Sequence, residues 1–197
     1  MSSICVSIIG LGYIGLPTAA VFASRKQKVV GVDIIQDTVD IINAGKVHIV
    51  EPGLAVMVEK AVKNGFLKAV TSPEPADAFV IAVPTPLLKS VSKDAVPKSD
   101  ISNVESASRS VAKVLKKGDI VILESTSPVG TTEKMAKWLA QERPDLTFPQ
   151  SHGSFSDIRI AYCPERVLPG NMIHELIKND RVIGGMTERC SEAAIQV

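Results

Sequence analysis

Three glycines near the N-terminus have the spacing of a turn that binds a dinucleotide. Gly10, Gly12 and Gly15 form a GxGxxG pattern directly after an apolar run and before a small-residue helical segment. The first glycine allows a tight turn, the second lets the backbone approach a pyrophosphate, and the third lets the helix pack closely on the strand. The helix N-terminus then offers free N–H groups to phosphate oxygens. The pattern predicts a pyrophosphate site, and a plain glycine turn between buried elements is the alternative.

An acidic residue follows at the distance that ribose recognition requires. Asp33 ends the next apolar run, 18 residues after Gly15. A carboxylate at this point accepts hydrogen bonds from ribose hydroxyls and repels a 2′-phosphate, so NAD is favoured over NADP. FAD uses the same glycine fingerprint and remains the alternative cofactor.

Hydroxyl side chains lie at the ends of two further apolar runs. Thr85 belongs to "VPTP" (83–86), and Ser125 and Thr126 belong to "ESTSPVGTT" (124–132). In an open parallel sheet, ligands bind beyond the carboxyl ends of the strands, where nicotinamide and substrate would meet. Taken alone, each hydroxyl is equally typical of a helix cap or a turn.

A third run ends in a pair of charged residues. "YCPERVLPG" (162–170) puts Glu165 and Arg166 beside the same predicted crevice. A carboxylate there can orient a water molecule or accept a proton, whereas a surface salt bridge is the competing interpretation.

Short β-branched runs alternate with segments of helical period along the whole chain. This order, with runs that are apolar on both faces, predicts an α/β fold: a Rossmann-type, doubly wound, mostly parallel sheet with helices on both faces, as one domain over residues 1–197. Ser102 and Glu105 are placed for a capping box, and the stretches 84–100 and 143–157 are predicted to be irregular. The strand-like runs are 4–9, 28–33, 78–83, 119–125, 158–163 and 181–185, and the helical segments are 16–25, 38–44, 53–64, 101–115 and 131–141.

Composition narrows the classes of partner. Lys and Arg number 22 against 21 Asp and Glu, so a net charge of +1 gives no electrostatic reason to expect nucleic acid or an anionic membrane. The three cysteines and three histidines are too dispersed to suggest a disulfide framework or a metal site, and Cys163 is expected to be a core residue rather than a nucleophile. No apolar run is long enough to span a bilayer, so we expect a cytoplasmic protein.

Five motifs in this order resemble the NAD-binding half of the UDP-glucose/GDP-mannose dehydrogenase family. The motifs are "GLGYIGLPTA", "VPTP", "ESTSPVG", "YCPERVLPG" and "NDRVIGG", and "HIVEPGL" (48–54), with Glu51 and Gly53, is similar to a further loop of the family. A Rossmann dehydrogenase for a 6-phosphogluconate-like or hydroxy-acid substrate shares the glycine pattern. That alternative gives no reason for "ESTSPVG" and "YCPERVLPG" to occur together.

The resemblance implies oxidation of the C6 alcohol of a UDP-sugar to a carboxylate, with two NAD reduced in succession. In the family, a cysteine of the second domain holds the aldehyde as a thiohemiacetal. Thr126 and Glu165 would then be catalytic, with Thr126 near the attacking water. The other carried-over roles are cofactor binding by Gly10, Gly12, Tyr13, Ile14, Gly15, Asp33, Thr85 and Thr126, and substrate binding by Glu165, Arg166, Val167 and Leu168.

The family's central helix, cysteine motif and UDP-binding domain would all lie beyond Val197. We therefore expect the chain alone not to complete turnover, and expect any homodimer to be weakened because the central helix is absent. Apolar surface that the missing parts would cover predicts self-association. The alternative is a non-catalytic module that binds NAD or a partner chain.

Overall fold

Over the residues that the structure describes, the chain forms one seven-stranded sheet in the spatial order β3-β2-β1-β4-β5-β6-β7. The computed structural model describes residues 4–88 and 97–197. The first six strands run parallel, and β7 pairs antiparallel with β6. The strands are β1 (Cys5–Ile9), β2 (Lys28–Val32), β3 (Leu67–Val70), β4 (Ala78–Ile81), β5 (Ile120–Leu123), β6 (Arg159–Tyr162) and β7 (Gly184–Gly185).

Helices cover both faces of the sheet, which confirms the doubly wound architecture. The helices are α1 (Gly15–Ser24), α2 (Gln36–Asn43), α3 (Leu54–Lys63), α4 (Ser102–Ala112), α5 (Thr131–Glu142), α6 (Pro149–His152), α7 (Met172–Lys178) and α8 (Glu188–Gln196), with a 3-10 turn at Gly153–Phe155. One core cluster joins β1 to α1, α2 and α3, and the other packs β4 and β5 against α4 and α5. Strands buried on both faces are apolar at nearly every position, with Ser7 of β1 as an exception, which explains the long apolar runs in the sequence.

Two strands differ from the sequence-based prediction. The edge strand β3 was missed because it has only four residues, and its exposed Lys68 makes it resemble the end of α3. The run 181–185 was predicted as a strand, but only Gly184 and Gly185 pair with β6. The first residue of that run, Arg181, instead forms an ion pair with Glu124.

The predicted capping box of α4 is wrong. The N-cap residue is Ile101, and the N–H of Ser102 donates to Oδ1 of Asp100 at 2.9 Å. Glu105 accepts a hydrogen bond from Arg109 at 2.7 Å instead of reaching back to the cap. An Asp two residues before the first free N–H competes well for that donor, so Asp100 takes the place expected for Ser102.

The two predicted irregular stretches are only partly irregular. Residues 143–157 contain α6, which begins at Pro149, and the 3-10 turn that follows it. A proline in the first turn of a helix loses no hydrogen bond, so it marks a start here rather than a loop. In the stretch 84–100, Leu87 and Ser99 form an antiparallel bridge, and residues 89–96 lie outside the described residues.

Within 4–88 and 97–197, no helix is both long and apolar enough to cross a membrane.

Candidate functional site

The glycine turn between β1 and α1 is shaped by close contacts at its two ends. Gly10 has φ +93°, and a Cβ added there would lie 2.6 Å from the carbonyl oxygen of Ala82. A Cβ on Gly15 would lie 1.8 Å from the carbonyl oxygen of Gly10. A Cβ on Gly12 would have no atom within 4 Å. The fold itself therefore requires Gly10 and Gly15, whereas Gly12 faces open space where a ligand's phosphates have room to approach.

The N-terminus of α1 is left open. No side chain caps the helix at Ile14, and its first turn contains no acidic residue. Leu16 donates its N–H to the carbonyl oxygen of Gly12 at 3.1 Å, but the N–H groups of Gly12 and Tyr13 have no acceptor among the described residues. Free donors and the positive end of the helix dipole together favour an anion at this place.

Asp33 is fixed beside this turn by two backbone N–H groups. Its Oδ2 accepts from Leu11 and its Oδ1 accepts from Ile35, both at 3.0 Å. A carboxylate oxygen has two acceptor sites, so each oxygen keeps one for a further donor. The carboxylate is thus oriented in advance and is still able to bind the two hydroxyls of a ribose.

The carboxyl ends of β4, β5 and β6 meet at one edge of the sheet, and their polar side chains contact one another. Thr85 donates its hydroxyl to the carbonyl oxygen of Thr126 at 2.6 Å. Thr126 in turn donates its hydroxyl to Oε1 of Glu165 at 2.8 Å. The hydroxyl of Ser125 points back to the carbonyl oxygen of Val83 at 2.7 Å, which is a structural role in the loop. The structure therefore brings together the three strand ends that the sequence predicted to share a crevice.

Glu165 has one carboxylate oxygen without a partner. Its Oε1 accepts from Thr126, whereas Oε2 is buried and makes no hydrogen bond to any described residue. Leaving a buried carboxylate oxygen unpaired costs free energy, which a ligand donor would recover. No salt bridge of Glu165 occurs within the described part of the chain, so the surface-ion-pair interpretation finds no support there.

The residues that follow Glu165 face outward. The side chain of Arg166 is exposed, and its carbonyl oxygen accepts from Nδ2 of Asn179 at 2.8 Å. Val167 is half-buried and Leu168 is 69% exposed. The crevice therefore has an accessible rim on the side of β6.

An ion pair between a buried and a partly exposed side chain was missed by sequence reasoning. Glu124, which directly follows β5, is 1% exposed and accepts from Arg181, whose side chain is 32% exposed, at 2.5 Å and from the hydroxyl of Thr18 at 3.3 Å. Burial raises the pKa of Glu124, and the guanidinium of Arg181 opposes that rise. The pair lies in a cavity of about 250 Å³ between α1, α7 and α8. Through Thr18 and Arg181, Glu124 connects α1 to the segment after α7. Neither "ESTSPVG" nor "NDRVIGG" indicates this connection when considered alone.

Other candidate ligands in the sequence do not converge. Cys163 is buried in the core cluster that includes Val80 and Ala161, as expected for a small core residue. Among residues 4–88 and 97–197, no three His, Cys, Asp or Glu side chains are grouped to hold a metal ion.

Comparison with known proteins gives consistent matches over the whole chain. A sequence model described as "UDP-glucose/GDP-mannose dehydrogenase family, NAD binding domain" matches residues 4–197. A UDP-N-acetyl-D-mannosamine dehydrogenase of Campylobacter jejuni is 64% identical over 192 residues, which make up 98% of this chain and 46% of that protein. An NDP-N-acetyl-D-galactosaminuronic acid dehydrogenase of Ralstonia nicotianae is 59% identical over 189 residues, or 96% of this chain and 43% of that protein.

A solved structure agrees with these matches. The UDP-N-acetyl-mannosamine dehydrogenase of Staphylococcus aureus superposes with a TM-score of 0.87 at 41% identity and covers 98% of this chain. The aligned part is 44% of that protein. The chain thus spans slightly less than half the length of the relatives it matches.

Proposed function

Because this chain belongs to the UDP-glucose/GDP-mannose dehydrogenase family and is its NAD-binding domain, we propose that it forms the cofactor half of an NAD-dependent UDP-sugar 6-dehydrogenase. NAD would accept the hydride that leaves C6 of the sugar. This chain would bind the cofactor and supply one wall of the reaction site.

The cofactor would lie across the ends of β1, β2, β4 and β5. Free N–H groups at the start of α1 would bind the pyrophosphate, next to the open space at Gly12. Asp33 would bind the adenosine ribose through its remaining acceptor sites. Thr85 and Thr126 would flank the nicotinamide. The residues proposed to bind cofactor are therefore Gly10, Gly12, Tyr13, Ile14, Gly15, Asp33, Thr85 and Thr126.

The substrate would bind on the side of Glu165, and the unpaired Oε2 is the observation that carries this part of the proposal. The hydroxyl of Thr126 holds Oε1, so Oε2 is the oxygen available to accept a proton from a water that attacks the oxidised carbon. Arg166, Val167 and Leu168 would contact the sugar nucleotide at the open rim of the crevice.

The sugar is proposed from the relatives. Two of the proteins compared above are named for UDP-N-acetylmannosamine, so we infer oxidation of UDP-N-acetyl-D-mannosamine to its uronic acid. This step would serve a bacterial surface polysaccharide such as enterobacterial common antigen, and would occur in the cytoplasm. An N-acetylgalactosamine-type nucleotide sugar is the competing substrate, by analogy with the Ralstonia protein.

A homodimer is a separate proposal. The described surface around α7 and α8 exposes large apolar side chains, with Val182 54% and Ile195 69% exposed. Large apolar side chains exposed on this scale favour contact with a second copy. Sedimentation at several concentrations tests this, and a monomer at all of them would contradict it.

The activity is tested by incubating the complete gene product with NAD and either UDP-N-acetyl-D-mannosamine or UDP-N-acetyl-D-galactosamine. We expect two NADH to form for each UDP-N-acetyl-D-mannosamine consumed, and a much slower reaction with UDP-N-acetyl-D-galactosamine. NAD binding without any NADH from either sugar would instead support the second candidate, a module that binds NAD or a partner chain without turnover.

A further inference from the structure

The segment between β6 and α7 lacks regular secondary structure, so side chains must hold it in place. We call residues 164–171 the 164–171 loop; it contains Glu165 and all the residues proposed to contact substrate. Two contacts come from nearby in sequence. Leu168 donates its N–H to Oε2 of Glu175 at 2.8 Å, and Asn179 donates to the carbonyl oxygen of Arg166 at 2.8 Å.

A third anchor comes from a distant part of the chain. Glu51 lies between α2 and α3, where its Oε2 accepts the N–H of Gly170 at 2.8 Å and its Oε1 accepts the N–H of Met172 at 2.7 Å. These two partners lie 119 and 121 residues after Glu51 in the sequence. Both of its oxygens are therefore committed to the end of the 164–171 loop and the start of α7.

Glu51 is buried, at 7% exposure, and no described residue forms a salt bridge with it. Two charge-assisted hydrogen bonds and the start of a helix must therefore stabilise its charge. An amide in the same place has one acceptor oxygen, and its NH₂ group would oppose one of the two backbone donors. The arrangement thus specifically requires a carboxylate.

In the sequence, the segment that contains Glu51 comes soon after Asp33, the residue proposed to bind the ribose of the cofactor. Asp33 directly follows β2, α2 comes next, and Glu51 lies after α2, before α3 begins at Leu54. At the other end of the 164–171 loop, Glu165 contacts Thr126. Glu51 therefore fixes the far end of the loop whose near end carries the unpaired carboxylate oxygen.

We propose that Glu51 is a positioning residue that holds the 164–171 loop so that Glu165 and the substrate-side backbone face the crevice. This inference rests on the proposed function, because the loop has a reaction to serve only if the chain is part of the dehydrogenase. It assigns Glu51 no contact with NAD.

The test compares Glu51→Gln with Glu59→Gln. Glu59 is exposed on α3 and makes no hydrogen bond to the loop within the described residues, so its variant controls for the loss of one carboxylate. In amide NMR spectra of the chain, we expect Glu51→Gln to move the Gly170 and Met172 protons upfield and to speed their hydrogen exchange about tenfold. Glu59→Gln should leave both amides unchanged, and NAD affinity should stay within about twofold in either variant.

The complete gene product supplies the kinetic part of the test. We expect Glu51→Gln to raise KM for the nucleotide sugar about tenfold while KM for NAD is unchanged, because only the substrate side loses its anchor. A general loss of stability would instead lower the apparent kcat, through fewer folded molecules, and leave both KM values unchanged. Glu51→Asp keeps the charge and both acceptor oxygens on a shorter side chain, so it should show the same pattern to a smaller degree. This variant provides the test if Glu51→Gln fails to fold.

Unchanged Gly170 and Met172 amides in Glu51→Gln would overturn the inference, as would equal increases in both KM values. If the unmodified gene product forms no NADH, the proposed function fails. The amide measurements on the chain then decide separately whether Glu51 holds the loop.

Discussion

At the scale of single residues, Oε1 of Glu165 accepts from Thr126, whereas its buried Oε2 has no partner in the part of the chain that the structure describes. We expect Glu165→Gln to lower kcat of the complete gene product by about 10² to 10⁴, the usual contribution of a positioned proton acceptor. NAD binding, measured by calorimetry, should not change. Glu188→Gln, at an exposed position on α8, is the matched control and should keep full activity. Full activity in Glu165→Gln would remove the catalytic role.

Ser7 on β1 is a second residue with an unpaired polar atom. Its hydroxyl is fully buried and has no hydrogen-bond partner among the described residues, whereas buried Ser156 donates to the carbonyl oxygen of Ile158 at 2.8 Å. We expect Ser7→Ala to leave the free energy of unfolding unchanged or higher, and Ser156→Ala to lower it by about 1 kcal/mol. Urea unfolding measures both. Equal losses in the two variants would mean that the Ser7 hydroxyl has a partner.

The places of Asp33, the glycines and the three strand-end motifs in the fold could be predicted because each lies within one short segment next to a strand. Glu51 and Glu124 could not be predicted in the same way. Their partners are the backbone at Gly170 and Met172 and the side chain of Arg181, which only the folded sheet brings near. The spacing of residues within one short segment does not indicate which distant segment that segment will contact.

At the scale of elements, the glycines of the turn between β1 and α1 differ in what an added Cβ would meet. A Cβ on Gly15 would collide with the carbonyl oxygen of Gly10 at 1.8 Å, so we expect Gly15→Ala to lower the free energy of unfolding by about 3 kcal/mol. Gly12→Ala meets no atom within 4 Å and should change it by less than about 1 kcal/mol. Chemical denaturation provides these values.

The same pair of variants should behave differently toward the cofactor. Gly12→Ala should weaken NAD binding at least about tenfold, because its Cβ would occupy the space that the pyrophosphate needs. Retained NAD affinity in a folded Gly12→Ala chain would place the phosphates elsewhere.

The prediction of elements succeeded for the central strands, missed the edge strand β3 and made the edge strand β7 too long. β1, β4 and β5 are buried on both faces, and their continuous apolar runs give a clear pattern. β3 and β7 lie at the two edges of the sheet, where pairing on one side tolerates Lys68 and a pair of glycines. The sequence therefore contains little that distinguishes these strands from loops.

At the scale of the whole molecule, we expect acid stability to depend on the hydrogen-bonded carboxylate of Asp157, which lies just before β6. The carboxylate of Asp157 accepts from the N–H and hydroxyl of Thr147 and from Lys117, and these donors lower its pKa to about 2. A lowered pKa contributes stability above the ordinary value of 3.8, and this contribution is lost as the pH falls toward about 2. We expect the urea midpoint to fall over this range and to fall less steeply in Asp157→Asn. Identical slopes would mean that Asp157 plays no part.

The central claim concerns the molecule as a binding unit, and calorimetric titration of NAD and NADP into the chain and its Asp33→Arg variant tests it most directly. We expect NAD to bind the chain at least about tenfold more tightly than NADP, because the Asp33 carboxylate repels a 2′-phosphate. In Asp33→Arg, the preference should move toward NADP. A folded chain that binds neither cofactor, or binds both equally, would contradict the assignment of the glycine turn and Asp33 as an NAD site.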